Sequence, residues 1–454
     1  MKVMLISANT TRSPYPVYPI GMSIVAAALT RGGHEVAQAD FLEQQTSLEA
    51  IGREVAAFAP ELVGISVRNI DNVNLASEQY YIDNVRDLVT TIRGVTAAKV
   101  ILGGAGFSLL PAEILRATGA DFGIVGEGEQ LTVDFVDNAA RGRYPVDPLV
   151  RAGRHLGGGE IGAALYDERL LDFYLHSGNV ASVQTKRGCP CKCVYCSYPL
   201  LEGEALRPRD PRTVVDDIER LKERGAKYIF FVDSVFNDDE GAYLAVVDEM
   251  LRRGLSIPWT AYFKPGGGLN DETVARMKRT GLAAAEVGGD ATTDPTLKQM
   301  GKGFSFAEIR ACNDLLTGHG IAVSHFFMFG GPGETEATVH EGIANILSLE
   351  KSVSFIFMGI RILPDTPLAR LAVRDGLLAA DADLLHPVYY LSPAVAQDWL
   401  EATLRAAFAG VRHCVFPPDA MDSKLEILHK LGYTGPMWEL LLPGKRERQR
   451  HAPG

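Results

Sequence analysis

Four cysteines fall within the eight residues 189–196, in the stretch RGCPCKCVYCSYP, while the rest of the chain holds only Cys312 and Cys414. In a reducing compartment so tight a group reads as a metal or catalytic site rather than a disulfide framework. Cys189, Cys193 and Cys196 form a C-x3-C-x2-C spacing. Three thiolates so placed can hold three corners of a cubic iron–sulfur cluster and leave one iron open. Zinc is the competing use of the same thiols, but a structural zinc closes its tetrahedron with four ligands, commonly from two separated knuckles. No second C-x2-C or histidine pair exists here, and a four-thiolate loop through Cys191 would be sterically awkward. Cys191 reads as a spare thiol beside the cluster, with ligand swapping or catalysis as the alternative. Cys312 and Cys414 read as buried packing.

The cysteine loop directly follows ASVQTK (181–186), the first of six short apolar runs. The others are KYIFFVD (227–233), IPWTAYF (257–263), AAAEVGG (283–289), AVSHFFMFG (322–330) and FIFMGIRI (355–362), separated by stretches of helical periodicity such as TVVDDIERLKERG. Six strand–helix units predict a complete or partial parallel barrel, with its site at the strand C-termini. An earlier alternation runs through VMLIS (3–7), EVAQADF (35–41), LVGISV (62–67), KVILGG (99–104) and FGIVG (122–126). That pattern predicts a doubly wound parallel sheet, in which ligands sit at the carboxyl ends of strands. The chain is thus expected to be α/β: a Rossmann-like domain over 1–140, a glycine-containing linker over 141–180, a partial (β/α)6 barrel over 181–374, and a small, mostly helical C-terminal capping region over 375–454.

At 454 residues the chain exceeds one ordinary core of roughly 150 residues. Its 46% hydrophobic and 22% charged composition is that of a globular protein, and no apolar run of about 18 residues would make an integral membrane segment. The first residues lack a signal-peptide pattern, so a cytoplasmic location with reduced thiols is expected. The net charge of −11 argues against a nucleic-acid or anionic-membrane partner and favours a small-molecule substrate or a protein. The basic tail GKRERQRHAPG reads as a solvated end.

With those residues in view, the chain resembles the cobalamin-dependent radical S-adenosylmethionine (SAM) enzymes. The carrying features are the cysteine motif with Tyr195 before its last cysteine, and FFVDSVFN, EVGGDATTDPTLKQMGKG, FMFGGPGET and IRILPDTPL downstream. In the first half YPIGMSIVAAALTRGGHEV, PELVGISVRN and ILGGAGFSLLPAEILRATGADFGIVGEGE are similar to the cobalamin module of that group. The resemblance implies a 4Fe–4S cluster on Cys189, Cys193 and Cys196, and SAM contacts from Tyr195, Asp233, Ser234, Glu286, Gly288 and His325. It implies cobalamin contacts from Pro19, Ser66, Arg68, Asn69, Gly103, Gly104, Gly106, Phe107, Ser108, Gly126 and Glu127.

Two departures matter. There is no D-x-H-x-x-G motif, so no histidine is placed to meet cobalt from below; His34 reads as a surface residue. There is also no GGE-type motif where Asp233 stands. Arg68 divides between a corrin contact and a helix-capping role, for which Asp71 is better suited. Lys264 and Arg361 divide between substrate contacts and structural ion pairs, and Tyr389, Tyr390 and Trp438 between shaping a pocket and ordinary packing. The implied function is C-methylation of an unactivated carbon in a small molecule. A 5′-deoxyadenosyl radical abstracts hydrogen, methylcobalamin delivers the methyl group, and flavodoxin or ferredoxin donates electrons. The alternatives are a cobalamin-dependent cyclase or rearrangement enzyme without net methylation, and a cobalamin- or metal-binding sensor. A methylthiotransferase would need cluster cysteines before residue 189, and there are none.

Overall fold

The computed structural model describes residues 1–12, 15–431 and 433–442; the basic tail lies outside them. Six strands form the first sheet: β1 (Lys2–Ser7), β2 (Glu35–Asp40), β3 (Leu62–Ser66), β4 (Lys99–Gly103), β5 (Phe122–Val125) and β6 (Leu149–Arg151). All pair in parallel, in the order β2-β1-β3-β4-β5-β6. Their near-continuous Val, Ile and Leu runs suit strands covered by helices on both faces. The order reverses between β1 and β3, and at such a switch point the strand ends splay into a crevice.

The second sheet contains β7 (Val180–Val183), followed by the short antiparallel ribbon β8 (Lys186–Arg187) and β9 (Arg207–Pro208). It continues through β10 (Tyr228–Phe231), β11 (Trp259–Phe263), β12 (Ala284–Asp290), β13 (Ala322–Phe329) and β14 (Ser352–Met358). A second ribbon, β15 (Ile360–Arg361) with β16 (Tyr389–Tyr390), precedes β17 (Cys414–Val415). The order of the sheet is β17-β14-β13-β12-β11-β10-β7, an open parallel barrel with every predicted strand present. Alternation sorts the side chains. Ile229 and Phe231 join the core under the helix Ala242–Arg252, whereas Tyr228 and Phe230 face inward and meet Tyr15 from the first domain.

Two segments differ from the sequence reading. The stretch assigned to a linker supplies β6 to the first sheet and the helix Glu168–His176. The C-terminal region does more than cap: β17 adds a seventh parallel strand beside β14, and the turn Trp438–Leu441 packs on the inner surface of the barrel with Val353 and Phe355. His34 is buried rather than superficial, held near the Met1 amino group and Asp137. Cys312 and Cys414 are buried in apolar clusters, as ordinary packing requires.

The two sheets dock through charged pairs. Arg207 grips Glu127 at 2.6 and 3.0 Å, Arg187 meets Glu129 at 2.5 Å, and Arg361 meets Asp71 at 2.8 Å. Tyr174 donates to Asp40 at 3.0 Å.

Candidate active site

The loop carrying the cysteines is tied down at its root. The Asp233 carboxylate, at the end of β10, accepts hydrogen bonds from the backbone N–H groups of Thr185 at 2.7 Å and Lys186 at 3.3 Å, and from the Thr185 hydroxyl. The Lys186 ammonium lies buried between Asp233 and Asp238 and donates to the Phe236 carbonyl. Burial raises the Asp233 pKa while Lys186 and the donors at Thr185 oppose it. Asp233 is thereby engaged by the protein, two residues from the strand end where a ribose contact was expected. Ser234 donates to Glu202 at 3.2 Å, and Glu202 also accepts from the Gly188 N–H.

All six thiols are free. Cys189 is buried and Cys191, Cys193 and Cys196 are half-buried. Cys191 shares a hydrogen bond with Cys189, which lowers the Cys191 thiol and raises that of Cys189. Burial pushes Cys196 up to about 11, and the neighbouring Cys193 adds to this. Among the described residues no three His, Cys, Asp or Glu groups converge on the single point a lone metal ion requires. Three thiols in one loop, with no second C-x2-C knuckle elsewhere in the sequence, are the ligand set of a cubic cluster rather than of a structural zinc ion.

Two residues that the sequence reading did not single out complete this side of the site. The Tyr195 hydroxyl donates to Asp290 at 2.6 Å instead of standing free. The Lys302 ammonium pairs with Asp290, donates to the Tyr195 hydroxyl at 3.2 Å and reaches the Cys193 sulfur at 3.3 Å. Both lie within EVGGDATTDPTLKQMGKG, but only the fold brings its two ends together over the cysteine loop.

Inside the barrel, Glu286 on β12 is surrounded by protein. Burial raises its carboxyl to about 8, with Trp438 opposing and Glu439 adding to the shift. Burial thus favours its protonated form, which can donate a hydrogen bond. Gly288 follows on the same face, half-buried. His325 points the other way: its ring packs against Phe327, and its Nε2 meets the Asn313 side chain at 3.1 Å, between β13 and the helix Phe306–Gly318. Burial lowers its pKa to about 3, so it is a neutral core histidine.

Tyr198 and Tyr262 keep 44% and 40% of their surfaces exposed, although protein atoms crowd around their hydroxyls. Burial raises the phenol pKa of Tyr15, Tyr198 and Tyr262; the Glu286 or Glu202 carboxyl adds to it and the Arg68 guanidinium opposes it. Arg68, Tyr15, Tyr198 and Tyr262 thus lie near enough for the arginine's charge to act on all three phenols.

On the first domain's side, the ends of β1 (Ala8, Asn9, Thr10) and β3 (Val67, Arg68, Asn69) line a cleft at the switch point, closed by Tyr81 and Val85. Ser66 ends β3, and Pro19 precedes the helix Ile20–Arg31. Gly103 ends β4. Gly104 has φ +102°, and an added Cβ would lie 2.6 Å from the Val67 carbonyl oxygen, so only glycine lets this turn close against β3. Gly106 presses likewise on Arg68. Ser108 donates to the Gly104 carbonyl and accepts from the Gly126 N–H at 3.0 Å. The helix Ala105–Leu109 packs against Tyr198–Glu202, directly after the cysteines. These glycines bring backbone rather than side chains to this edge of the sheet. Phe107, however, is wholly buried against Gly123, and Glu127 is occupied by Arg207 and Arg187. Burial acts to raise the Glu127 pKa, but these arginines and the Leu156 N–H outweigh it and hold the carboxylate low.

Other polar candidates are also accounted for. Arg361 is committed to Asp71 and to the carbonyls of Ile362 and Leu384, Asp71 serves a turn at Val73 rather than a helix cap, and Lys264 pairs with Asp239. Tyr389 and Tyr390 form β16, and Trp438 is buried in the barrel.

This architecture is a B12-binding fold joined to a radical SAM barrel: residues 6–136 match the B12 binding domain and residues 183–344 the radical SAM superfamily. The chain thus joins a B12-binding domain to a radical SAM domain, and the cofactors of such an enzyme are cobalamin, SAM and a 4Fe–4S cluster. Tryptophan 2-C-methyltransferase of Streptomyces laurentii is 24% identical, over 81% of this chain and 74% of that protein. The anaerobic magnesium-protoporphyrin IX monomethyl ester cyclase of Rubrivivax gelatinosus is 22% identical, over 71% and 60%. The solved structure of the radical SAM methyltransferase TsrM from Kitasatospora setae, with cobalamin and a 4Fe–4S cluster bound, superposes with a TM-score of 0.85 at 23% identity, covering 99% of this chain and 98% of that one. Among the described residues no helix is long and apolar enough to cross a membrane.

Proposed function

We propose that this enzyme is a C-methyltransferase acting on a small molecule held between its two domains. The observation that carries the reading is the docking of the two domains: the helix Ala105–Leu109, at the edge expected to hold the corrin, packs against Tyr198–Glu202, directly after the cysteines. When bound, the cluster and SAM supply hydrogen abstraction from carbon and the cobalamin supplies the methyl group. The chain's own residues do the rest. Cys189, Cys193 and Cys196 hold the cluster; Asp233, through Thr185 and Lys186, fixes the loop that carries them. The half-buried phenols wall the cavity and exclude bulk water. Glu286 offers a proton-bearing carboxyl to an acceptor atom of substrate or SAM. Arg68 and Asn69, directly after β3, would help to hold the corrin.

A reducing protein such as flavodoxin or ferredoxin would supply electrons. Tryptophan is the first acceptor to try, because a relative is named for it and the cavity wall is aromatic. The test is anaerobic incubation of the reconstituted enzyme with methyl-labelled SAM and tryptophan, then a panel of other small acceptors. Label in the product is the expected result. Deoxyadenosine formed without label in any product would favour the cyclase class, also found among the relatives; cobalamin binding without any SAM consumption would overturn both and leave a sensor.

A further inference from the structure

We infer that Lys302 and Asp290 form an ion pair that sets the reduction potential of the cluster, an inference that rests on the cluster being held by Cys189, Cys193 and Cys196. The segment bearing Lys302 is built onto the cysteine loop. The Val194 N–H donates to the Met300 carbonyl at 3.0 Å. Gly301, at φ +72°, passes so close to the Lys192 carbonyl that an added Cβ would collide with it. The next residue, Lys302, extends to the Cys193 sulfur, 3.3 Å away, with only 6% of its side chain exposed. Its ammonium also lies 5.4 Å from the centre of the Tyr195 ring.

Burying an ammonium is costly unless it is paired and hydrogen-bonded. Asp290 supplies the partner. It ends β12 with φ +62°, a conformation that non-glycine residues seldom adopt, and the Tyr195 hydroxyl holds its carboxylate in place. A strained backbone, a buried ammonium and a half-buried carboxylate are thus assembled beside a single ligand sulfur, where a surface loop would have sufficed merely to carry the cysteines. Hydrogen bonds and charge at the ligand sulfurs are among the means by which a protein tunes such clusters. An N–H donor with a positive charge favours the reduced, more negative cluster and raises its potential. The carboxylate acts in the opposite sense. Lys302 and Asp290 are positioning residues: they touch a ligand and each other, not the reacting carbon.

The test is an EPR-monitored redox titration of the reconstituted full-length enzyme, with iron and sulfide content measured alongside. Lys302→Gln is expected to lower the midpoint so that the reduced fraction at a fixed potential falls roughly tenfold, about 59 mV for one electron. Asp290→Asn, which leaves the ammonium unopposed, is expected to shift it in the other direction, and Lys302→Arg to stay near the wild type. Shifts of opposite sign are what a structural role would not produce. Unchanged midpoints, or shifts of the same sign in Lys302→Gln and Asp290→Asn, would overturn the inference. So would loss of the cluster from all three variants with the fold intact by circular dichroism, which would assign the pair to building the loop. None of these outcomes depends on methyl transfer, so the inference and the proposed function fail separately.

Discussion

Glu286 is a side chain whose chemistry departs far from that of the free amino acid. Its carboxyl moves from the ordinary 4.5 to about 8 because the barrel interior withholds the water that an anion needs. The folded state therefore binds a proton that the unfolded chain has already released. The stabilising contribution of that proton is complete below about 4.5 and is lost as the pH climbs to about 8, at about 1.4 kcal/mol per pH unit. Glu286→Gln keeps the neutral shape, so its thermal midpoint should match the wild type near pH 4.5 and exceed it increasingly toward pH 8. A gap between the two unfolding curves that does not change with pH would contradict the assignment. The cysteine loop and Arg68 stand out in the sequence because spacing, or position after a strand, marks them. Lys302 and Asp290 do not, since their meaning lies in a meeting with Cys193 that local sequence does not encode. His325 was misleading for the opposite reason: it ends no strand, and alternation along β13 turns it toward the helices.

At the level of elements, the barrel strands were readable as apolar runs between helical periods, and all six appear in sequence order in the sheet. The elements that escaped are short. β6 has three residues and β17 has two, lengths at which neither apolar runs nor alternation stands out, and each is fixed by pairing with a neighbour already formed. The antiparallel ribbons are shorter still than their functions suggest. β15 carries Arg361 to Asp71, 290 residues earlier in the chain, and both side chains are nearly or wholly buried. Removing one member of such a pair strands the other charge. Arg361→Ala should therefore lower stability by about 3–5 kcal/mol, read from denaturant unfolding, and should loosen cobalamin binding by unseating the loop after β3. An effect below about 1 kcal/mol, the range of an exposed ion pair, would show that Asp71 finds water when its partner is gone.

For the whole molecule, the decisive feature is how the two sheets face each other. The carboxyl ends of the first sheet's strands meet the barrel mouth through Arg207–Glu127, Arg187–Glu129 and Arg361–Asp71, and Tyr15 reaches from one domain into the interior of the other, 6.2 Å from Phe230. With both ligand-bearing edges fixed on one cavity, a group abstracting hydrogen and a group donating methyl could reach the same carbon without domain movement. The most direct test is an anaerobic crystal structure with cobalamin and SAM bound. The upper corrin face and the SAM sulfur should open onto one continuous space, bordered by Tyr15, Tyr198 and Tyr262. A layer of packed side chains between corrin and SAM, or a corrin bound at the opposite edge of the first sheet, would contradict it.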